Sequence, residues 1–537
     1  MQKLLLLGDE AIAQGAMDAG LSGMFAYPGT PSTEITEYVQ ASAEAKEKNI
    51  RSQWGANEKT AMEAALGMSY SGKRAMVGMK HVGLNVAADA FVNSAITGVN
   101  GGLIVVAADD PSMHSSQNEQ DSRFYGRFAM IPVLEPSNQQ EAYDMTRYGF
   151  ELSEKYQVPV MMRITTRLAH SRAGVQRMEI LPQNELKLPK DRNQFVLLPA
   201  IARKRYQGLL GNQASFEMES EKSSFNQYID GKDKSLGIIA CGLSYNYLME
   251  NYGDKEIPFP VLKITQYPEP RDLVERIIKE TDSVLVLEEG APVLEERLRG
   301  YLDDTYSIKG RMDGTLPRAG ELNPNHVAVA LGLEKPRENK VPDIVEGRPP
   351  ELCAGCPHID TYKALNEVLK EYGDGHVFSD IGCYTLGALD PYNAINSCVD
   401  MGASVTMAKG AADAGLHPAV TVIGDSTFTH SGMTGLLDAV NDQSKITVMI
   451  LDNDTTAMTG GQHSSAKGHL ENICEGIGVD PEHIKVIKPL KKNHEENVEI
   501  IRKEIEYDGV SVVIPRRECI VELNKRMRAK LKNKKKK

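Results

Sequence analysis

Two short stretches in the last third of the chain place hard oxygen donors at a spacing that could do chemistry. Gly424-Asp425-Ser426 follows one apolar run and Asp452-Asn453-Asp454-Thr455 follows another. Asp425 and Asn453 are 28 positions apart, room for one crossover helix between neighbouring parallel strands. That spacing brings a carboxylate and an amide oxygen together at the carboxyl edge of a sheet, where α/β proteins bind ligands. Such donors, with an open coordination sphere, suit Mg2+ shared with the phosphates of a substrate or cofactor. Gly424 lets the backbone approach a diphosphate closely. Taken singly, each stretch is an ordinary polar strand-to-helix turn; the paired spacing makes them a candidate site.

The cysteines are the second chemical signal. There are seven, at 241, 353, 356, 383, 398, 474 and 519, odd in number and dilute. In a reducing compartment that usage points to ligands or buried thiols rather than disulfides. Cys353-x-x-Cys356 alone reads equally as a zinc half-site or a redox pair. Cys241, Cys398 and Cys474 show no partner pattern and are expected in the core. Glu58, four positions after the only tryptophan (Trp54), opens a helix, and in isolation is a surface acid.

The elements that must position these residues read as α/β. In the first ~190 residues short apolar runs alternate with helical patterns, which predicts a parallel sheet. Strands are predicted at Lys3–Leu7, Met24–Tyr27, Arg74–Met79, Gly102–Ala108 and Val158–Ile164, with helices from Gly8 through Ala19 and over 58–72 and 84–98. Residues 184–235 are polar with little periodicity and read as a linker or surface insertion. A second α/β unit follows, with strands at Leu236–Ala240 and Val284–Leu287, then a Pro- and Glu-rich boundary over 334–351. A third unit has strands at Val377–Ser379, Ala419–Ile423 and Ile446–Leu451.

Composition bounds the possibilities. At 537 residues the chain is too long for one core. With 41% apolar and 25% charged residues it is ordinary globular material, and no run approaches the ~20 apolar residues of a membrane span. No secretory signal is evident, so a cytoplasmic location is expected. The net charge of −12 argues against a nucleic-acid-binding body. Eight positive charges fall in the last twelve residues, Arg526, Arg528, Lys530, Lys532 and Lys534–Lys537, leaving −20 elsewhere. This basic tail is expected to be a frayed, solubilising terminus rather than a binding arm.

The paired turns resemble the motif of thiamine diphosphate enzymes. Asp425 and Asn453 match its metal-binding side chains and Thr455 the position that supplies a main-chain carbonyl, while Ser426 replaces the motif's last glycine. Such enzymes also use a glutamate from a separate domain to activate the aminopyrimidine, and Glu58 in Asn57-Glu58-Lys59 is the candidate, preferred over Glu63. A closer resemblance is to the alpha subunits of the indolepyruvate ferredoxin oxidoreductase family, within the wider 2-oxoacid:ferredoxin oxidoreductases. It is carried by Tyr27-Pro28-Gly29-Thr30-Pro31-Ser32-Thr33-Glu34, by Met79-Lys80-His81-Val82-Gly83-Leu84-Asn85 and by Ala108-Asp109-Asp110-Pro111-Ser112. Residues 115–123, Cys353-Ala354-Gly355-Cys356-Pro357-His358, Gly424–Phe428 and 455–462 extend it in order from residue ~5 to ~520.

The resemblance implies oxidative decarboxylation of an aryl-2-oxoacid, of the indolepyruvate or phenylpyruvate type, with CoA, to an acyl-CoA and CO2. Two electrons must leave one at a time, which calls for an iron–sulfur relay. Cys353, Cys356, Cys383 and Cys519 match a four-cysteine [4Fe–4S] set. Thr30 matches a position facing the substrate, although Thr-Pro-Ser alone is a turn. His81 and His114 are candidate polar groups around the reacting centre. Arg123 is expected either to meet an anion or to pair at the surface. Pyruvate-type relatives often carry an arginine where this chain has Asp109 and Asp110, which speaks against a pyruvate-like clamp there.

The implied architecture is a pyrimidine-binding domain (1–185), a linker or insertion (186–235), a transketolase-C-like domain (236–335), a linker (336–351), a diphosphate- and Mg-binding domain (352–525) and the basic tail (526–537). The ferredoxin-like domain that follows in familiar alpha subunits has no counterpart after Cys519, so electrons are expected to pass to ferredoxin or a separate ferredoxin-like subunit. A smaller partner subunit, in a heterodimer or a dimer of heterodimers, is also implied. The alternatives are a non-oxidative thiamine-diphosphate decarboxylase or carboligase, and a non-catalytic regulatory relative. Retention of the four cysteines weighs against the first, and Glu58, Asp425 and Asn453 together weigh against the second.

Overall fold

Many of the apolar runs end in a Gly-, Pro- or Asp-bearing turn, and these turns set where those strands give way to helices. The computed structural model describes residues 3–191, 193–253, 255–301, 306–335, 341–347 and 350–535. The chain divides into two units, residues 1–340 and 341–537.

In the first unit the strands are β1 (Lys3–Leu7), β2 (Gly23–Ala26), β3 (Arg51–Trp54), β4 (Ala75–Lys80), β5 (Leu103–Asp109), β6 (Val133–Leu134), β7 (Val160–Thr165), β8 (Arg172–Gln176), β9 (Gln227–Ile229), β10 (Gly237–Cys241), β11 (Val261–Ile264), β12 (Gln266–Tyr267), β13 (Ser283–Leu287) and β14 (Ser307–Lys309). A seven-stranded sheet has the order β12-β6-β7-β5-β4-β2-β3, parallel except for β12 at its edge. A five-stranded sheet has the order β14-β13-β10-β11-β9, with β9 antiparallel at its edge. Strands β4, β5 and β7 are buried on both faces, which is why they read as unbroken apolar runs. The first predicted strand, β1, stands apart and pairs antiparallel with β8.

The polar stretch expected to be a linker contains the 23-residue helix Pro199–Glu221 and the edge strand β9. The helix buries only a narrow stripe, with Leu209, Phe216 and Ser220 inward while Met218 is exposed. Its amphipathic signal is too thin for periodicity to reveal.

A buried ionic network joins the two sheets. Arg163, wholly inaccessible, pairs with Asp109 at 2.6 Å, Asp121 at 3.4 Å and Glu135, and donates to the carbonyl of Glu289 at 2.9 Å. Arg123 pairs with Asp121 at 2.6 Å and Glu288 at 2.9 Å and donates to the carbonyl of Ala291 at 2.9 Å. This corrects the expectation for Arg123: its guanidinium is neither on the surface nor turned to a ligand. Its own acids occupy it, because desolvated charges must be paired.

The second unit contains β15 (Val377–Ser379), β16 (Ser397–Cys398), β17 (Val420–Gly424), β18 (Ile446–Leu451), β19 (Thr455–Thr456), β20 (Gln462–His463), β21 (Ile484–Ile487) and β22 (Val510–Pro515). Its main sheet is wholly parallel, in the order β16-β15-β17-β18-β22-β21. The chain runs from β15 to β16 on one side and resumes at β17 on the other, so a topological switch point falls between β15 and β17. The crevice beyond such strand ends is where open α/β sheets bind ligands. Helix Ile520–Lys535 runs through most of the basic stretch, in place of the expected frayed terminus. Lys536 and Lys537 lie outside the described residues, as do 336–340 and 348–349 of the expected linker. Among the described residues, no helix is long and apolar enough to cross a membrane.

Candidate functional site

In the second unit, β17 and β18 pair in parallel with Gly424 opposite Leu451, so Asp425 and Asp452-Asn453 start their turns side by side. Asp425 is 2% exposed, and its Oδ2 has no hydrogen-bond partner. Burial, then the neighbouring Asp452 carboxylate, push its acid up to about 7. A buried carboxylate oxygen without a donor, next to further acids, has the chemistry of an Mg2+ ligand, so the residues fit the ion. Asn453 accepts from the Thr455 N–H at 3.2 Å, and Ser426 bonds Thr456 at 2.8 Å, tying the two turns together. Gly424 has a packing reason of its own: a Cβ there would fall 2.5 Å from the Tyr384 ring.

Cys383 follows β15, Cys519 follows β22, and Cys353 and Cys356 precede the helix Pro357–Leu369. The four thiols are close enough to act on one another electrically. Burial, then the charges of Cys353 and Cys519, push Cys356 up to about 11; burial, then Cys356 and Cys519, push Cys383 to about 12. Cys356 and Cys383, held up by burial and by neighbouring thiols, would lose their protons more readily once cationic metal is present. Among the described residues, no three of these sulfurs lie within 4.8 Å of one another. Four thiolates around a single zinc ion, at about 2.3 Å each, would stand roughly 3.8 Å apart. Cys241 and Cys474 are buried as expected, whereas Cys398 is exposed because it ends the short edge strand β16.

The cysteines and the Asn453 turn form one structure. The Cys519 N–H donates to the Asn453 carbonyl at 3.1 Å, and the Asn453 amide lies 3.8 Å from the Cys383 sulfur. Between them stands His358, whose Nε2 is 3.4 Å from Cys383 Sγ and 3.3 Å from Asn453 Nδ2. Burial drives its pKa down to about 4, so the imidazole is neutral at pH 7. Reading the motif Cys-Ala-Gly-Cys-Pro-His for its cysteines passes over this residue; its signal was the place directly after the second cysteine and Pro357.

In the first unit Glu58 begins the helix Glu58–Tyr70, capped by Asn57, whose side chain accepts the Thr60 N–H at 2.8 Å. Glu58 is 5% exposed, while Glu63 is half exposed and paired with Lys59. The Glu58 carboxyl lies over Gly83, where an added Cβ would meet Oε1 at 2.5 Å, Cγ at 2.7 Å and Cδ at 2.8 Å. Thr30 lies in the turn between β2 and the helix Thr33–Ala41, and its carbonyl accepts from Ser115 at 3.4 Å. Lys80, absent from the sequence-based candidates, donates to the Ser115 carbonyl at 2.8 Å; burial lowers its pKa to about 8. His81 is buried, with Nε2 3.1 Å from Asn118 Oδ1 and Nδ1 without a partner. His114 is half exposed and lies 3.4 Å from Glu321.

Two segments of the chain match known families. Residues 14–229 match the family described as pyruvate flavodoxin/ferredoxin oxidoreductase, thiamine diphosphate-binding, and residues 380–514 match the thiamine pyrophosphate enzyme C-terminal TPP-binding domain. The indolepyruvate oxidoreductase subunit IorA of Archaeoglobus fulgidus is 40% identical, over 97% of this chain and 87% of its own length. That of Pyrococcus horikoshii is 39% identical, over 96% and 86%. Among solved structures, a 2-oxoglutarate:ferredoxin oxidoreductase from Magnetococcus marinus, described with 2-oxoglutarate, coenzyme A and succinyl-CoA bound, is similar in fold. Its TM-score is 0.51 at 17% identity, over 62% of this chain and 65% of that one.

Proposed function

The chain belongs to the family of the indolepyruvate oxidoreductase subunit IorA, and from that premise we propose that it is the catalytic subunit of a thiamine-diphosphate-dependent aryl-2-oxoacid:ferredoxin oxidoreductase. The reaction takes a 2-oxoacid, CoA and two oxidised one-electron carriers to an acyl-CoA, CO2, two reduced carriers and a proton. The relatives' printed name supports an indolepyruvate-type substrate, and the CoA-bound state of the similar 2-oxoglutarate enzyme supports CoA as acyl acceptor.

Thiamine diphosphate, when bound, supplies the electron sink for the bonding pair left behind as CO2 departs. Asp425 and Asn453, with the main chain at Thr455, would hold Mg2+ for the cofactor's diphosphate, and the turn at Gly424-Asp425-Ser426 would receive the phosphates. Glu58 holds or accepts a proton at its carboxyl opposite the aminopyrimidine. Cys353, Cys356, Cys383 and Cys519 would hold a [4Fe–4S] cluster, which would supply one-electron transfer toward ferredoxin, and a smaller subunit would complete the assembly. Thr30 faces the substrate, and Lys80 beside that turn offers the positive charge a 2-oxoacid carboxylate needs. His81, buried with one ring nitrogen unpartnered, is available to exchange a proton, and His114 stands at the outer rim.

The reading rests on one observation: the Asn453 turn touches Cys383 by its side chain and Cys519 by its carbonyl, so the metal turn and the thiol set are built as one. The test is anaerobic purification with the partner subunit, followed by iron, sulfide and thiamine diphosphate analysis and ferredoxin reduction with indolepyruvate, phenylpyruvate, pyruvate and 2-oxoglutarate. About four iron and four sulfide per chain, with CoA-dependent turnover of the aryl acids, is the expected result. Thiamine diphosphate binding and CO2 release without iron would replace this reading with the non-oxidative one.

A further inference from the structure

We propose that Asp9, Glu34 and His170, in the first unit, form a binding site for a divalent first-row metal ion. Asp9 lies in the first turn of the helix Gly8–Asp18, Glu34 in the first turn of the helix Thr33–Ala41, and His170 ends the short helix Thr166–His170. One donor atom from each lies within 4.8 Å of the other two, and Glu34 Oε1 is 3.6 Å from His170 Nε2. That spacing suits two ligands of one ion.

A second observation points into the same space. Asp9 is wholly buried and neither of its carboxylate oxygens has a hydrogen-bond partner; Glu34 Oε2 has none either. Among the described residues no lysine or arginine pairs with Asp9 or Glu34; the one ion pair is that of Glu34 with His170. Buried carboxylates are ordinarily paired, hydrogen-bonded or metal-bound.

Two carboxylates and an imidazole form a set of intermediate hardness that suits Mn2+, Fe2+ or Zn2+ rather than Mg2+. Three protein donors leave positions for water or for an oxygen ligand from outside. The His170 side is about a third open, which gives the ion a way in. Glu34 is four positions past Thr30, so an ion here would pin the far end of that turn, although the site stands whether or not Thr30 meets substrate.

The experiment is a titration of the full-length, chelator-treated protein with MnCl2, reading bound Mn2+ and its 14N coupling by pulsed electron paramagnetic resonance. The Asp425–Asn453–Thr455 set offers oxygen alone, so a directly coordinated nitrogen reports the new site. One nitrogen-coupled Mn2+ per chain is expected. His170→Ala should abolish the coupling, Asp9→Asn should weaken binding at least tenfold, and Asp425→Ala should leave the signal intact. Circular dichroism verifies that each variant is folded. Mn2+ bound without nitrogen coupling, coupling that survives His170→Ala, or no binding at all overturns the proposal and assigns the pair of carboxyls a shared proton instead.

Discussion

The neutral imidazole of His358 stands 3.4 Å from the sulfur of Cys383 while its same nitrogen lies 3.3 Å from the side-chain amide of Asn453. A cysteine proposed to bind iron and an asparagine proposed to bind Mg2+ are therefore held by one buried ring. His358→Ala removes a partner from both. Losing one buried hydrogen bond, worth about 1 kcal/mol, should weaken Mg2+–thiamine diphosphate binding roughly three- to tenfold. Calorimetric titration checks this, and an unchanged dissociation constant would show that the ring does not support Asn453.

Gly83→Ala tests the placement of Glu58. The added methyl would take space the Glu58 carboxyl occupies, while alanine in place of glycine inside the helix His81–Thr97 favours the helix by about 1 kcal/mol. The variant should fold at least as well as wild type and lose at least tenfold in kcat, approaching the loss in Glu58→Ala. Full activity in Gly83→Ala with no activity in Glu58→Ala would mean the carboxyl has room to move aside.

Asp425→Ala should abolish measurable Mg2+-dependent binding of thiamine diphosphate. It also removes a buried carboxylate oxygen with no partner, so the variant free of cofactor should melt no lower than wild type at pH 7. Calorimetric binding and thermal melts, run side by side, read both effects; undiminished binding would remove Asp425 from the metal site.

Cysteine substitutions separate ligands from bystanders. Cys383→Ser should lower iron per chain by more than half, while Cys398→Ser, at an exposed strand edge, should leave it unchanged. Equal iron in both variants would remove Cys383 from the ligand set.

Stability should depend on pH through Glu289. Burial raises its acid to about 7 in the folded chain from an ordinary value of 4.5, despite the Tyr247 hydroxyl at 2.8 Å. A carboxyl whose folded pKa is raised stabilises fully below the unfolded value, and that contribution is lost as pH rises from about 4.5 through 7. Wild type should therefore lose up to about 3 kcal/mol relative to Glu289→Gln across that window. Denaturant melts at pH 5 and 7.5 measure it; a constant difference between the two proteins would show that Glu289 is ionised throughout.

The sequence made the strands that carry chemistry legible because each is an apolar run closed by a distinctive turn: β15, β17 and β18 end at or within one residue of the predicted positions. What it hid was pairing and burial. Nothing in Lys3–Leu7 says that its neighbour is β8 rather than the main sheet. Arg123 reads as a residue that meets an anion or pairs at the surface, yet it is enclosed by its neighbour Asp121 and by Glu288, 165 positions away. His358 is silent in one dimension, since its meaning comes from Asn453, 95 positions away. Asp9 read only as a helix-opening acid, because its lack of partners is a property of three dimensions.

The thiol set draws on both ends of the second unit, with Cys353 before its first helix and Cys519 after its last strand, 166 positions apart. A cluster on these residues would act as a reversible staple across almost the whole unit, limiting the freedom of the unfolded chain as a long-loop cross-link does. Such a cluster would also impose an order on assembly, because Cys519 follows β22 and is brought to the other cysteines only once β22 has paired with β18.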